Sequence, residues 1–409
     1  MPNSSKFINL KSNRRKFILQ GFFLSVAVAV ADTSTILPLI VDFFGGGKVL
    51  VGVLSSLMKG GAVIMQLWTA FKAQEKPFVL GSLRKVFIFR FITWFFVGLS
   101  ILLFADFSNY LILILISIFL FFFSFSAGVG VIYYQELMGK SFTKEFRGKA
   151  IAYKQIAAGI AGILSGGISG FILEYFSKPE SFSYLFIFSG ILMAVGFGVF
   201  WTFKEEPKNE TLIKEQHFGI FLKNAVKLFN SDKSLKLQVF SRLISYTLFL
   251  VLPFIILHAK DKFGISGKSV GLIISVQMAG AVISNFLWGR LSGRNKNKDV
   301  ILISFVIAIV AVIITLSADQ FWYLYIVYFF IGASIDGFRL AFSNLILIIA
   351  PADKRPMYVA VQNNLSSVGL FFPILGGVIF KSFNFSVLSF FALALLIIGF
   401  GISFFLRKE

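Results

Sequence analysis

Hydrophobic stretches of about 20 residues recur along almost the whole 409-residue chain, and this recurrence limits its possible folds more than any other feature. Each stretch is long enough to cross a hydrocarbon layer of about 30 Å as an α-helix. Charged residues make up only 14% of the sequence, whereas soluble domains carry about 25%. The chain is therefore predicted to be an integral, multi-pass membrane protein whose main surroundings are the lipid bilayer.

Twelve of these stretches are predicted to be transmembrane helices. Inside a bilayer every backbone N–H and C=O needs a partner within its own helix or in a closed barrel, and these stretches lack the strict alternation of barrel strands. The predicted fold class is thus an all-α membrane protein. The spans lie near residues 17–41, 49–71, 86–104, 110–134, 149–173, 183–203, 238–258, 269–289, 300–317, 321–346, 357–380 and 385–406.

The basic residues are divided unevenly between the two sides of these spans. Of the 39 Lys and Arg residues, 28 fall on the side of the termini and only 6 on the other side. The positive-inside rule then places both termini in the cytoplasm, as expected in a bacterial inner (plasma) membrane. The predicted domains are a basic N-terminus (1–16), a first six-helix bundle (17–203), a cytoplasmic linker (204–237) and a second six-helix bundle (238–406).

The chain also contains an internal repeat. The segment from Val51 to Ile64 aligns without a gap to the segment from Val270 to Ile283, and seven of the fourteen positions are identical. This pairing maps the second span onto the eighth. Because six spans lie in each half, the two halves have the same orientation in the membrane, so parallel six-span repeats are predicted.

The composition narrows the chemistry that the chain can perform. It has no cysteine and two histidines that lie far apart, His217 and His258, so a metal site is not expected. No phosphate-binding glycine loop of the Gly, four residues, Gly-Lys-Ser/Thr type is present, and the basic residues lie between membrane spans rather than on an aqueous face. We expect no cofactor, no enzymatic activity, no nucleic-acid partner and a monomeric protein.

A loop between the eighth and ninth spans carries a recognisable pattern. It runs Gly289-Arg-Leu-Ser-Gly-Arg294-Asn-Lys-Asn-Lys298 and resembles the loop signature of the major facilitator superfamily, with Gly293 where the family has an aspartate. Together with the parallel repeats, this resemblance covers residues 15–406. It implies a secondary transporter that moves a small solute by alternating access, with the first, fourth, seventh and tenth spans lining a central cavity. It also makes Gly289 and Arg294 candidate gating residues.

Seven charged residues fall inside the predicted spans, where each needs a partner or access to water because a charge at mid-bilayer is costly. Asp32 and Lys59 lie near the middle of the first and second spans. They are either a neutralising structural pair or a site that exchanges a proton or substrate, and protons are one candidate coupling ion. The others are Arg90, Lys154, Arg242, Asp336 and Arg339.

The remaining intramembrane charges suggest what the solute is. Arg90, Lys154 and Arg242 lie close enough to span ends to reach the interface with their charged groups. Asp336 and Arg339 are three residues apart and share a helix face, so they can pair with each other. In the resembled fold, however, Arg242, Asp336 and Arg339 belong to cavity-lining spans, and the excess of basic groups favours an anionic or zwitterionic solute.

Two prolines occupy comparable places late in the first and seventh spans. Pro38 and Pro253 each lack a backbone donor and permit a bend, which is either a gate or a static kink. The leading functional prediction is a secondary active transporter. The alternatives are a drug/proton exporter of the same superfamily and a non-transporting receptor or assembly factor with the same fold.

Overall fold

The computed structural model describes residues 4–73, 78–142, 144–205, 218–351 and 354–407. Most of those residues form helices and none of them forms a strand, which confirms the all-α prediction. Residues 206–217 of the predicted linker and residues 74–77 of the loop after the second span lie outside the described residues. The helices are α1 Ser4–Val30, α2 Ile36–Phe43, α3 Lys48–Ala73, α4 Leu80–Phe104, α5 Asn109–Ser141, α6 Lys144–Tyr175, α7 Glu180–Val199, α8 Phe218–Ser231, α9 Lys233–Ser245, α10 Thr247–Phe263, α11 Gly267–Ser292, α12 Asn297–Ser317, α13 Tyr323–Ile349, α14 Arg355–Ser366, α15 Phe372–Ser382 and α16 Phe385–Ser403, with short 3-10 helices at Phe200–Thr202 and Ser367–Phe371.

Several helices begin at polar residues that cap their first turn. The side chain of Ser108 accepts a hydrogen bond from the Leu111 backbone N–H, and Asp232 and Asn384 do the same at the starts of α9 and α16. These caps satisfy backbone donors that have no partner within the helix. Gly264 ends α10 with a positive φ of 68°, a conformation that favours glycine. Local polar chemistry therefore sets these helix ends.

The described chain contains 11 segments that are long and apolar enough to cross a membrane. They correspond to the second to twelfth predicted spans. The first predicted span is formed by α1 and α2, which are separated by residues 31–35. With this interrupted span the number agrees with the twelve that were predicted.

Three of the twelve spans are not continuous helices, a feature that the sequence analysis did not predict. The first span breaks at residues 31–35, the seventh breaks at Tyr246 between α9 and α10, and the eleventh passes through the 3-10 helix at Ser367–Phe371. Hydropathy averages over a window and does not register a few residues of irregular backbone. Such backbone is tolerated at membrane depth only where protein covers it or where it lines a water-filled cavity.

The helices group into two compact units. Unit 1 comprises the described residues of Met1–Ile36, Leu57–Lys214 and Ser266–Ser275. Within it α1 packs against α6 and α7, and α4 packs against α5 and α7. In unit 1 the first span therefore packs against the fifth and sixth spans, and the third span packs against the fourth and sixth.

Unit 2 comprises the described residues of Leu37–Ser56, Glu215–Ile265 and Val276–Glu409. Within it α10 packs against α15 and α16, and α12 packs against α13 and α16. In unit 2 the seventh span therefore packs against the eleventh and twelfth spans, and the ninth span packs against the tenth and twelfth. The same pattern of neighbours therefore occurs in each unit, offset by six spans, which is what the internal repeat predicts.

The described part of the predicted linker is mostly helical. It includes α8, whose residues Ala225, Leu228 and Phe229 pack against a buried apolar cluster. The cluster belongs to α9, α13 and the start of α14 and consists of Leu235, Val239, Ile346, Ala350, Tyr358 and Val361. One face of α8 is thereby fixed to unit 2 by burial of apolar surface.

Candidate functional site

The break in the first span is organised by the side chain of Asp32. Its Oδ2 atom accepts hydrogen bonds from the backbone N–H groups of Ser34 and Thr35 at 3.1 and 2.9 Å and from the Thr35 hydroxyl at 2.8 Å. Its backbone carbonyl accepts from the Ile36 N–H, the first residue of α2, at 2.8 Å. Asp32 therefore satisfies the donors that the break releases, as aspartate does at turns and helix starts.

Asp32 also interacts with the charge of Lys59. Asp32 is buried, with 8% of its surface exposed, and it feels the positive charge of Lys59 on α3. Both residues belong to unit 1. The structure thus brings together the two mid-span charges that the sequence singled out, at a point where the helical backbone is interrupted.

Arg242 lies at the end of α9, just before the break in the seventh span. Its guanidinium donates to the side-chain oxygens of Gln362 and Asn363 on α14 at 2.8 and 2.7 Å. The Gln362 amide is in turn held by the Phe342 carbonyl at 3.3 Å. Amide oxygens are neutral, so these contacts position the guanidinium without cancelling its charge. Among the described residues no carboxylate pairs with Arg242.

The breaks in the seventh and eleventh spans contact each other within unit 2. Gly369, in the 3-10 helix between α14 and α15, lies against the Leu243 carbonyl and the Tyr246 side chain. A β-carbon at Gly369 would stand 2.8 Å from that carbonyl oxygen, so the approach requires glycine. Arg242 is thereby placed beside two stretches of irregular backbone.

Asp336 and Arg339 pair with each other on α13. The Arg339 guanidinium lies 2.9 Å from Oδ1 of Asp336, and the Asn285 side chain of α11 donates to Oδ2 of the same carboxylate at 2.7 Å. Asp336 is therefore bound on both oxygens. Arg339 remains the more exposed partner, with 64% of its side-chain surface accessible.

The loop between α11 and α12 is held by hydrogen bonds of side chains other than Gly289 and Arg294, the two candidate gating residues. Ser292 donates to Asn297 at 2.6 Å and accepts from Asn344 at 2.7 Å. Gly289 and Arg294 lie on the exposed part of this segment. Their candidate role in gating stays a prediction.

The two prolines occupy different positions relative to the breaks. Pro38 is the third residue of α2, where a first-turn N–H has no helical partner to lose. Pro253 lies in the interior of α10, so the Phe249 carbonyl loses its helical donor there. The break in the first span is therefore due to the polar residues before Pro38 and not to the proline. In the seventh span Pro253 removes a hydrogen bond within α10, which follows the break at Tyr246.

Two polar residues of interest escaped sequence reasoning. Gln362 is fully buried. It stands beside two asparagines in an apolar span, and this run of three polar residues could have marked it as a residue with a buried partner. Asp42, at the end of α2, accepts from Lys260 of α10 at 2.6 Å and from Lys48 of α3 at 3.2 Å. Nothing in the sequence pairs Asp42 with Lys260, because 218 positions separate them.

These features define a class of protein: a polytopic α-helical membrane protein with two repeated units and charged residues at interrupted helices. The family model of the Major Facilitator Superfamily matches residues 22–252 and 237–409. The chain therefore belongs to the major facilitator superfamily, a family of transporters, as its resemblance indicated. A search of curated proteins found no match to the sequence.

Solved structures of transporters share the fold. A variant of the nucleoside transporter NupG is similar with a TM-score of 0.76, 14% identity and coverage of 97% of this chain and 100% of that chain. A bacterial homologue of the human lysosomal transporter Spinster, inward-facing and unoccupied, gives a TM-score of 0.64, 13% identity and coverage of 99% and 97%. A bacterial metal transporter gives 0.65, 10% identity and coverage of 97% and 99%. At these identities the likeness concerns the fold alone.

Proposed function

We propose that this protein is a secondary active transporter that moves a small solute by alternating access between two six-helix bundles, residues 17–203 and 238–406. The observation that supports it most is the coincidence of charged side chains with helix breaks, at Asp32 and at Arg242. Interrupted helices expose backbone groups and are where transporters commonly hold their solutes and coupling ions. A receptor or assembly factor would not need charged side chains at these positions.

The solute is an anion or zwitterion held in part by Arg242. Neutral amide oxygens hold this guanidinium, so its charge is available to a ligand. Arginine offers a planar fork of donors that matches a carboxylate or phosphate, which a lysine ammonium cannot reproduce. Arg339 is the second candidate, in competition with its pairing to Asp336.

Gradient-driven uptake in proteoliposomes tests this proposal. Candidate solutes are first ranked by thermal stabilisation of the purified protein, because a ligand of the folded state raises apparent stability. Arg242→Lys should weaken solute binding about tenfold or more, while Arg15→Lys, an exposed arginine near the N-terminus, serves as the matched control. Unchanged affinity in Arg242→Lys, or a preference for lipophilic cations, would exclude the anion reading and favour the drug-exporter alternative.

The coupling ion is a proton carried by Asp32. Its hydrogen-bond donors among the described residues all reach Oδ2, so Oδ1 is the oxygen that can gain and lose a proton. Asp32→Asn should keep the protein folded and abolish uphill uptake while counterflow persists. If Asp32→Asn instead fails to fold and adding Lys59→Met restores folding, the pair is structural and the coupling role is lost.

Both termini and the linker 204–237 are cytoplasmic in this proposal. The chain has no native cysteine, so single cysteines can be introduced directly. A cysteine at position 216 should react with an impermeant reagent only after the cells are opened. Labelling from outside intact cells would overturn the orientation.

A further inference from the structure

We propose that a cavity in unit 1, centred on Lys154, binds a small organic monoanion with an apolar body. The cavity has a volume of about 420 Å³ and lies between α1, α5 and α6. This volume is within the range of small-molecule sites. Arg242 is not among the residues that line this cavity, and ligand binding there does not require that the protein transports anything.

The lining of the cavity is one cation among neutral groups. Lys154 and Gln155 come from α6, Tyr134 and Gln135 from α5, and Phe17 from α1, while the other lining side chains are apolar. No acidic residue lines the cavity among those that the structure describes. An anion would supply the missing opposite charge, and a single ammonium matches a single negative charge.

The ammonium is fixed by aromatic side chains. Nζ of Lys154 donates to the Tyr134 hydroxyl at 2.5 Å and lies 4.7 and 4.6 Å from the ring centroids of Phe17 and Tyr134. The Tyr134 hydroxyl donates onward to Gln20 at 3.3 Å. Because an ammonium has three donors and Tyr134 accepts one of them, two N–H groups can be directed at a ligand.

A glycine on α1 makes this placement possible. The methylene stem of Lys154 passes directly over Gly21, where a β-carbon would overlap its Cγ, Cδ and Cε atoms. The stem is flexible, so Gly21→Ala should move Lys154 without forcing the helices apart. This substitution therefore displaces the ammonium while its charge is kept.

The alternative role for Lys154 is a purely structural one, in which its charge serves only the contacts with Tyr134 and Phe17. Such a lysine would give no preference for anionic over neutral ligands. The exposed amides of Gln135 and Gln155 on the cavity wall have no part in that role. They are donors that can assist the ammonium in binding a carboxylate.

The test is ligand binding to the purified full-length protein in detergent, measured by calorimetry. The probes are benzoate, its neutral analogue benzamide and the cation benzylammonium. We expect benzoate to bind at least tenfold more tightly than either analogue, because hydrogen bonds to charged groups are the stronger ones. Benzoate binding no stronger than benzamide binding would overturn the proposal.

Four variants locate the bound anion. Lys154→Met and Gly21→Ala should each weaken benzoate binding about tenfold, and Lys154→Arg should retain most of it. Lys85→Met, an exposed lysine of unit 1, is the matched control and should leave binding unchanged. The melting temperature of each variant without ligand shows whether it folds, and Gly21→Ala keeps the test valid if Lys154→Met does not.

The same assay separates this site from the one proposed for transport. If Arg242→Lys abolishes benzoate binding and Lys154→Met does not, the anion binds at Arg242 and the Lys154 site is refuted. If Lys154→Met weakens benzoate binding but uptake fails for every solute, the site stands and the transport proposal falls. Equal binding to wild type and Lys154→Met also refutes the inference.

Discussion

The two copies of the repeated segment make equivalent contacts in different units. In unit 2, Gly52 of α3 lies against the Pro373 carbonyl of α15, and in unit 1 its counterpart Gly271 of α11 lies against the Gly166 carbonyl of α6. A β-carbon at either repeat glycine would overlap a backbone atom of the partner helix. The identical glycine at this position of the repeat is therefore explained by close approach of backbones, a packing role that small residues serve in membranes.

A pair of matched serines shows where the two contacts differ. Ser275 donates to the Ile163 carbonyl at 2.7 Å, and α6 is continuous at that point. Ser56 donates to the Phe371 carbonyl at 3.3 Å and also accepts from the Ile374 N–H at 3.2 Å, at the break before α15. Ile374 is in the first turn of α15, so its N–H has no acceptor within the helix. The interrupted helix thus depends on its serine more than the continuous helix does.

The glycine contact gives the largest expected effect. Gly166→Ala should lower the free energy of unfolding by about 1–3 kcal/mol, because its β-carbon would collide with the backbone of α11 and overpacking costs this much. Gly167→Ala is the matched control on the same helix, since a β-carbon there meets nothing within 4 Å. It should be neutral or slightly stabilising, because alanine favours helix more than glycine does.

Unfolding in mixed micelles titrated with a denaturing detergent measures both variants. The free energy of unfolding of Gly52→Ala, measured in the same way, shows whether the contact in unit 2 is equally tight. Equal stability of Gly166→Ala and Gly167→Ala would show that the close approach of α6 and α11 does not exist in solution.

The matched serines give a smaller effect with a clear direction. Ser56→Ala leaves the part-buried Ile374 N–H without its side-chain acceptor and should cost about 1–2 kcal/mol, below the upper end of the penalty for a fully buried unsatisfied group. Ser275→Ala removes only an additional donor to a carbonyl inside a regular helix and should cost about 1 kcal/mol or less. The same detergent titration compares them. A larger loss in Ser275→Ala than in Ser56→Ala would contradict the account of the broken helix.

Much of the fold could be predicted from the sequence because its spans are long and apolar. The twelve spans follow from hydropathy and the repeat follows from seven identical residues, but the three breaks follow from neither. The break at residues 31–35 had a local signal, since Asp32, Thr33, Ser34 and Thr35 compete with helical hydrogen bonds through their side chains. Tyr246 carries no comparable signal in the sequence, and its side chain lies against Gly369, which is more than 100 positions away.

The candidate site was predictable in its charges and not in its partners. Asp32 and Lys59 stood out because a mid-span charge is costly, and the structure gives them mutual electrostatic contact. Lys154 was interpreted as reaching the interface, because a lysine near a span end usually does so, and this stays a prediction. The passage of its stem over Gly21 of another helix could not be predicted, because one sequence does not show which helices pack together.

The starts of the repeated helices α3 and α11 give the smallest expected effect, and this effect depends on pH. Near the start of α3, Asp42 lies 2.6 Å from Lys260 and 3.2 Å from Lys48. At the start of α11, Glu174 accepts from the Lys268 backbone N–H at 3.0 Å. One end thus rests on ion pairs and the other on a hydrogen bond to the backbone.

Burial acts to raise the pKa of Asp42, but the hydrogen bonds and charges of Lys260 and Lys48 outweigh it and hold that pKa below its usual value. A carboxylate with a lowered folded-state pKa contributes stability above its unfolded-state pKa of about 3.9 and loses that contribution as pH falls through the folded value. Asp42→Asn should therefore cost up to about 1 kcal/mol at pH 7, and the difference in unfolding free energy between this variant and wild type should shrink below pH 4.

Glu174→Gln keeps an acceptor oxygen for the Lys268 N–H and should change the stability little at pH 7, because its contact needs an acceptor rather than a negative charge. Detergent titrations at pH 7 and at successive values below 4 measure these differences, and a constant gap between Asp42→Asn and wild type across that range would show that the ion pairs do not stabilise this end.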